Sequence, residues 1–277
     1  MPDQAVLTAN PNKALWEKGD FTRIAETMRR SGDELVETLG ITAGLSVLDL
    51  GCGDGTTALP IARRGADVLG VDIAGNLVAA GNARAAEAGL YNVRFEEGDA
   101  AKLANLRDAS FDLVVSIFGA MFAPRPFDVA REMVRVTRPG GRIVMGNWIP
   151  GDPTLVAQIL RISSAYSPPP PEGFVSPMLW GEEEQVRDRF MAAGIMPARI
   201  RFERLPWVFR HAGPPSELLD IFRLYYGPTM NAYAAAEGAG KAGDLHRELL
   251  DLFNGQNRGG DQTSIPATYL KVTVSKE

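Results

Sequence analysis

The segment Val47-Leu48-Asp49-Leu50-Gly51-Cys52-Gly53-Asp54-Gly55 constrains this chain more than any other. A short, mostly apolar strand runs straight into three glycines spaced G-x-G-x-G. Glycine takes positive φ without a Cβ penalty and lets backbone approach a ligand closely. A helical pattern follows from Thr56 to Arg64 and ends at Gly65, a C-cap. Its first N–H groups have no partner of their own, and Pro60 near the first turn is tolerated for the same reason. Strand, glycine turn and helix in that order make the ligand-facing end of an open α/β sheet.

The pattern continues downstream. Strands are expected at Ser46–Leu50, Asp67–Asp72, Val93–Glu97, Phe111–Ile117 and Arg142–Trp148. Continuous apolar runs such as Leu113-Val114-Val115 suit strands covered on both faces. Helices are expected at Asn76–Ala88 and from Pro126 to the Pro139-Gly140-Gly141 turn. Alternating strands and helices predict an α/β, doubly wound, mostly parallel sheet. Before it, Phe21, Ile24, Ala25 and Met28 fall on one helical face, and Leu35, Val36 and Leu39 continue an apolar face after Gly32.

Each strand tip carries a polar group. Asp49 precedes the first glycine pair and Asp72 closes Val68-Leu69-Gly70-Val71-Asp72. Asp99 follows Glu96-Glu97-Gly98, and Ser116-Ile117-Phe118 ends the fourth strand. A carboxylate at Asp49 suits a cationic ligand better than a pyrophosphate. Asp72 can take both hydroxyls of a ribose, a role that nicotinamide-binding folds share. The glycine spacing, which is not G-x-G-x-x-G, and Asp49 argue against that alternative, a nicotinamide-dependent oxidoreductase.

Taken in order, these motifs resemble the class I S-adenosylmethionine-dependent methyltransferase family. The branch is the small-molecule one that includes ubiquinone/menaquinone-biosynthesis-type enzymes and methyltransferase type 11. The resemblance covers roughly Leu45 to Trp148. It implies a seven-stranded Rossmann-like sheet whose last pair includes an antiparallel strand. It also implies S-adenosylmethionine as methyl donor and S-adenosylhomocysteine as product. Asp49 with Gly51, Cys52 and Gly53 would line the methionine end. Asp72 would hold the ribose, Ile73 would pack on the adenine, and Asp99 and Ala100 would meet its edge. Ser116 and Ile117 would supply backbone contacts near the amino-acid group, with Phe118 beside them. The N-terminal helix would close over the cofactor with Trp16, Phe21 and Thr22. A binding protein without catalysis remains a further alternative.

After Pro150 the character changes. Helices are expected at Leu155–Ile162, Glu182–Ala193, Ser216–Tyr226 and Leu245–Phe253, with Gly227-Pro228 as an interruption. Four prolines, Pro168 to Pro171, make a stiff extended link. Late strands are expected at Ala198–Phe209, with a bulge near Arg204-Leu205 beside Pro206, and at Thr268–Val274. The whole reads as one domain: 1–44 a helical lid, 45–150 the cofactor core, 151–266 the substrate cover and 267–277 the final strand. The cover is rich in aromatics. Met121, Trp148, Tyr166, Phe174, Trp180 and Tyr225 are expected to wall the pocket of a small apolar or aromatic acceptor. Trp180 and Phe174 stand out because a loop seldom carries such surface unburied.

Composition narrows the partners. The net charge is −5 and no dense Lys/Arg run occurs, so nucleic acid and anionic lipid are poor partners. Cys52 is the single cysteine, which excludes an intrachain disulfide, and only two histidines are present, so no metal cluster is expected. Cys52 is read as a packing residue rather than a nucleophile. Asp54 is read as a helix N-cap. His211, beside Trp207-Val208-Phe209, is the better-placed of the two imidazoles for a general base. Met1-Pro2-Asp3-Gln4 lacks the pattern of a secretion signal and no apolar run could span a bilayer, which reads as a cytoplasmic protein.

Overall fold

A computed structural model describes residues 12–277; the expectation for Met1–Gln4 lies outside them. Three short helices come first, α1 (Lys13–Glu17), α2 (Phe21–Glu26) and α3 (Arg29–Thr38). α2 begins where the Asp20 carboxylate accepts the Thr22 backbone N–H at 3.2 Å, a side-chain cap for an orphan donor. α3 passes through Gly32 unbroken. A Cβ there would lie 2.6 Å from the Thr56 carbonyl, so glycine is what seats α3 directly on the segment after the glycine loop.

The α/β alternation follows: β1 (Ser46–Leu50), α4 (Ala58–Arg63), β2 (Asp67–Asp72), α5 (Gly75–Glu87), β3 (Val93–Glu97), β4 (Phe111–Ile117), α6 (Pro126–Val136) and β5 (Thr137–Trp148). β1 to β4 occupy the spans that the sequence predicts. β5 starts at Thr137 rather than Arg142. Phe111 pairs with Thr137 and Leu113 with Arg142, so the intervening residues bulge out, and the expected Pro139-Gly140-Gly141 turn lies inside that bulge.

The cover contains α7 (Leu155–Ala165), α8 (Glu183–Ala192), β6 (Ile200–His211), α9 (Pro215–Tyr225), α10 (Gly227–Gly238), α11 (Ala242–Gln256) and β7 (Thr263–Ser275). All seven strands form one sheet, ordered β3-β2-β1-β4-β5-β7-β6, with β7 antiparallel to both neighbours and the first five strands parallel. Val47, Leu48, Val114 and Val115 at its centre are wholly buried, as a sheet covered on both faces requires. Chain order reverses between β1 and β4, and that switch point is where open α/β sheets bind ligands.

Two expectations for the cover fail for physical reasons. No bulge occurs at Arg204-Leu205: β6 pairs with β7 in one unbroken register from Ile200↔Val274 to His211↔Thr263. The apolar phase slips because the strand changes which face it buries. Phe202, on the Ile200 face, lies under the Arg187 guanidinium of α8, while Trp207 and Phe209 on the opposite face pack beside Phe118 and Trp148. Pro206 is accommodated because β6 is an edge strand. Gly227-Pro228 does not interrupt a helix but starts one, α10, with proline in its first turn. Among the described residues no helix is long and apolar enough to cross a membrane.

Candidate functional site

The loops after β1 and β4 touch backbone to backbone. A Cβ on Gly51 would lie 2.6 Å from the Cα of Gly119, so both positions require glycine. Gly51, Gly53 and Gly55 all take positive φ, and the expected Cβ direction of Gly53 is open space. Phe118, between β4 and Gly119, also has φ +61°, a left-handed conformation that costs a non-glycine residue about 1–2 kcal/mol. Such strain persists where surrounding structure holds it and clusters at functional sites. A cavity of about 940 Å³, partly open to solvent, lies over these two loops.

Three carboxylates line it, Asp49, Asp54 and Asp72, and no Lys, Arg or His does among the described residues. Each has a different state. Asp54 is engaged: Arg29 clamps its carboxylate with both terminal nitrogens, and Arg84 donates to its carbonyl at 2.5 Å. It therefore ties the glycine loop to α3 and α5 and is not an N-cap; α4 starts at Thr57 without a side-chain cap. Asp72 accepts the N–H groups of Gly53 at 2.8 Å and Ala74 at 3.0 Å, which fixes its orientation while burial pushes its carboxyl up. Asp49 is 1% exposed and one of its oxygens has no partner. Burial first, then the charge of Asp72, pushes its carboxyl up to about 8, against the Ala58 N–H that favours the anion. A buried carboxylate with one oxygen unpaired beside a cavity offers a counter-charge to a cation.

Cys52 lines the same cavity but packs as a small apolar group. A Cβ on Gly70 would meet its Sγ at 2.9 Å, and burial with three nearby carboxylates pushes the thiol well up. A nucleophilic cysteine needs the opposite surroundings.

Of the other residues expected to hold a cofactor, Ile73, Ala100, Ile117, Phe118 and Trp16 line the cavity, joined by Phe21. Thr22, Asp99 and Ser116 are not among the residues that line it, and each side chain makes local bonds. Thr22 Oγ1 donates to Asp20 at 2.5 Å. Asp99 accepts the Ala101 N–H at 2.9 Å and faces Arg125 at 3.8 Å. Ser116 donates to the Leu50 carbonyl at 2.6 Å and accepts the Ala120 N–H at 3.0 Å, so it staples the two loops together from below. α1 lies across the rim: Lys13 pairs with Glu97, and Glu17 accepts the Gly75 N–H at 3.1 Å.

A second, apolar chamber, about 450 Å³ and also partly open to solvent, adjoins the first and shares with it Trp16, Phe21, Met28, Phe118 and Phe122. Its remaining walls come from α2, α7, α9, Trp148, Phe209 and Tyr226. The expected acceptor pocket is thereby corrected. Trp148 lines the chamber, stacked on Phe118 with ring centroids 3.7 Å apart. Trp180 does not: it is core, packed on Phe190 with the Arg189 guanidinium 4.5 Å over its ring. The apolar loop holding it is covered because Gly181 sits against the Trp148-Ile149 backbone. Met121 points into the core, while its neighbours Ala120, Phe122 and Ala123 line the main cavity. Tyr166 donates to Glu248 at 2.5 Å, Tyr225 lies under Arg23, and Phe174 is 56% exposed. His211 lines neither space and meets Glu217 at 3.0 Å.

Sequence reasoning missed Gly119, Leu77, Phe122, Trp207 and the chamber residues of α7. A glycine after an apolar strand could have flagged the first. α7 is apolar on most of its surface, and that could have flagged a helix buried on two sides.

Comparison with known proteins agrees with this geometry. The sequence profile of the methyltransferase domain family matches residues 48–145. An uncharacterised protein of Mycobacterium tuberculosis is 35% identical over 246 residues, covering 88% of this chain and 87% of that protein. The 27-O-demethylrifamycin SV methyltransferase of Amycolatopsis mediterranei is 35% identical over 143 residues, 50% of this chain and 52% of that protein. Among solved structures, the YcgJ protein of Bacillus subtilis shares the fold, with TM-score 0.58 and 20% identity over 90% of this chain and 99% of that one. With a sheet of this order, a glycine loop at its switch point and relatives of this kind, the chain belongs to the class I S-adenosylmethionine-dependent methyltransferases.

Proposed function

We propose that the main cavity holds S-adenosylmethionine and that its methyl group passes to a small apolar or aromatic metabolite seated beside it. The observation that carries the donor half is Asp49, a buried carboxylate with a partnerless oxygen in a cavity lined by no cation among the described residues. That lining suits an ammonium and a sulfonium; a pyrophosphate would meet three carboxylates and no counter-charge. Asp72, held by two backbone N–H groups, has lone pairs left for a ribose diol. Ile73, Leu77 and Ala100 offer apolar surface for a base, and Gly51 and Gly53 let backbone approach the methionine end.

When bound, S-adenosylmethionine supplies a sulfonium-activated methyl group whose departure leaves a neutral thioether. The chain's own residues have two tasks, alignment and exclusion of water. The Gly51–Gly119 contact and the Ser116 staple fix the floor. Trp16, in edge contact with Phe21 and Phe122 at 5.6 and 4.8 Å, closes the roof. An apolar acceptor is supported by the apolar walls beyond Phe118, and a small-molecule one by a relative, matched over about half of each chain, whose name specifies such a substrate.

Calorimetry tests the reading. S-adenosylmethionine and S-adenosylhomocysteine are expected to bind one per chain, and NAD not at all. Binding of NAD without either sulfur ligand would overturn it.

A further inference from the structure

The chamber beyond Phe118 has a composition specific enough to state what it takes. We propose that it seats the body of a flat, uncharged acceptor that carries a single hydroxyl-type polar group, oriented by the Tyr226 hydroxyl. This rests on the donor reading given above.

Four observations converge. The chamber adjoins the donor cavity and shares Trp16, Phe21, Met28, Phe118 and Phe122 with it, so a molecule seated in it lies beside the donor's reactive end. Among the described residues no charged side chain lines it, and an ion buried there would lose its hydration without compensation. Its walls are rings and branched aliphatics, with Trp148 lying parallel to Phe118 and 27° from Phe209. Flat walls of this kind favour a planar body by offset stacking and edge contact. Finally, the polar groups are few. Apart from the indole N–H groups of Trp16 and Trp148, the Tyr226 phenol is the one side-chain hydrogen-bonding group in the wall, and its hydroxyl has no partner among the described residues. Burial pushes the phenol up, so it is a neutral donor and acceptor at ordinary pH.

Phe118 sets the depth of this seat. Its left-handed backbone turns the ring onto Trp148, where it also meets Trp207 and Tyr269 edge-on at 5.0 and 5.5 Å. The ring thus forms the wall common to donor and acceptor.

The test uses the full chain saturated with S-adenosylhomocysteine, titrated calorimetrically with 2-naphthol, naphthalene and naphthalene-2-sulfonate. The expected order is 2-naphthol tightest, naphthalene weaker, and the sulfonate weaker than 2-naphthol by about tenfold or more. Val156→Phe and Ile159→Trp enlarge side chains that line the chamber from α7 and do not line the donor cavity. Each is expected to weaken 2-naphthol by about tenfold while S-adenosylhomocysteine binds as in the wild type. Tyr226→Phe is expected to weaken 2-naphthol about fivefold and naphthalene not at all. Undetectable 2-naphthol binding, or binding indifferent to both α7 variants while S-adenosylhomocysteine still binds, overturns the proposal alone. Equal affinity for the sulfonate, or equal losses of 2-naphthol and naphthalene in Tyr226→Phe, does the same. Failure of S-adenosylhomocysteine to bind the wild type overturns the donor reading and takes this one with it.

Discussion

The two spaces that meet at Phe118 recognise by different means. The donor cavity is floored by backbone turns and carboxylates, two of which, Asp49 and Asp72, lie at the ends of strands whose register is fixed by neighbours on both sides. The apolar chamber is walled by side chains from α2, α7 and α9, with Trp148 and Phe209 from the sheet. A charged ligand needs few groups in exact chemical match, and those groups fall at fixed places along the chain. An apolar ligand needs shape, which many residue combinations supply. The first kind of site leaves a motif in the sequence; the second leaves only composition.

Variants can break this contrast, beginning with the most severe. Gly119→Val forces a Cβ onto the Gly51 carbonyl and must part the two loops. It is expected to abolish S-adenosylhomocysteine binding and to lower stability by about 1–3 kcal/mol, read by calorimetry and thermal melting. Retained affinity would show that the loops do not need their contact. Next comes Asp72→Ala. It removes the proposed ribose acceptor and frees the Gly53 and Ala74 N–H groups, and should weaken S-adenosylhomocysteine about 100-fold. The chamber does not include Asp72, so naphthalene affinity should stay unchanged.

Asp49 gives the pH-dependent member of the series. Its carboxyl lies near the usual 3.8 when unfolded and at about 8 in the ligand-free fold. The folded state therefore binds the extra proton between those values, so this group's contribution to stability is present in acid and lost as pH rises towards about 8. A cationic ligand reverses the preference by favouring the anion. S-adenosylhomocysteine should bind about fiftyfold more tightly at pH 8 than at pH 6 and release close to one proton on binding at pH 7. Proton release is measured as buffer-dependent binding enthalpy, and Asp49→Asn should abolish it. The same release in Asp49→Asn would assign the proton elsewhere. The smallest effects are expected at His211→Ala and Phe174→Ala, within about 0.5 kcal/mol in stability and with ligand binding unchanged, since neither residue lines either space.

How far the sequence could be read follows the same division. The bounds of β1 to β4 match expectation because buried parallel strands are continuous apolar runs closed by glycine or a polar tip. Asp49, Asp72 and the glycine loop were legible for the same reason. Thr22, Asp99 and Ser116 lie outside the cavity lining, because a motif fixes where a side chain starts and not which neighbour it meets. Asp20, the Ala101 N–H and the Leu50 carbonyl are local partners that only the fold reveals. In the cover, an edge strand that buries first one face and then the other looks like a bulge. A Gly-Pro pair reads equally as a stop or a start. Tyr225 and Tyr226 are adjacent and chemically identical, yet one lies under Arg23 at the surface and the other walls the chamber. Helical phase at the end of α9 decides between them, and aromatic content does not.

The most direct test of the account is a crystal structure of the chain grown with S-adenosylhomocysteine. The predicted density lies over the glycine loop, with the amino group about 3 Å from Asp49, the ribose hydroxyls on Asp72 and the sulfur turned toward Phe118. Density elsewhere, or a ligand whose amino group leaves Asp49 without a partner, would contradict the claim that this buried carboxylate is the socket for the methyl donor.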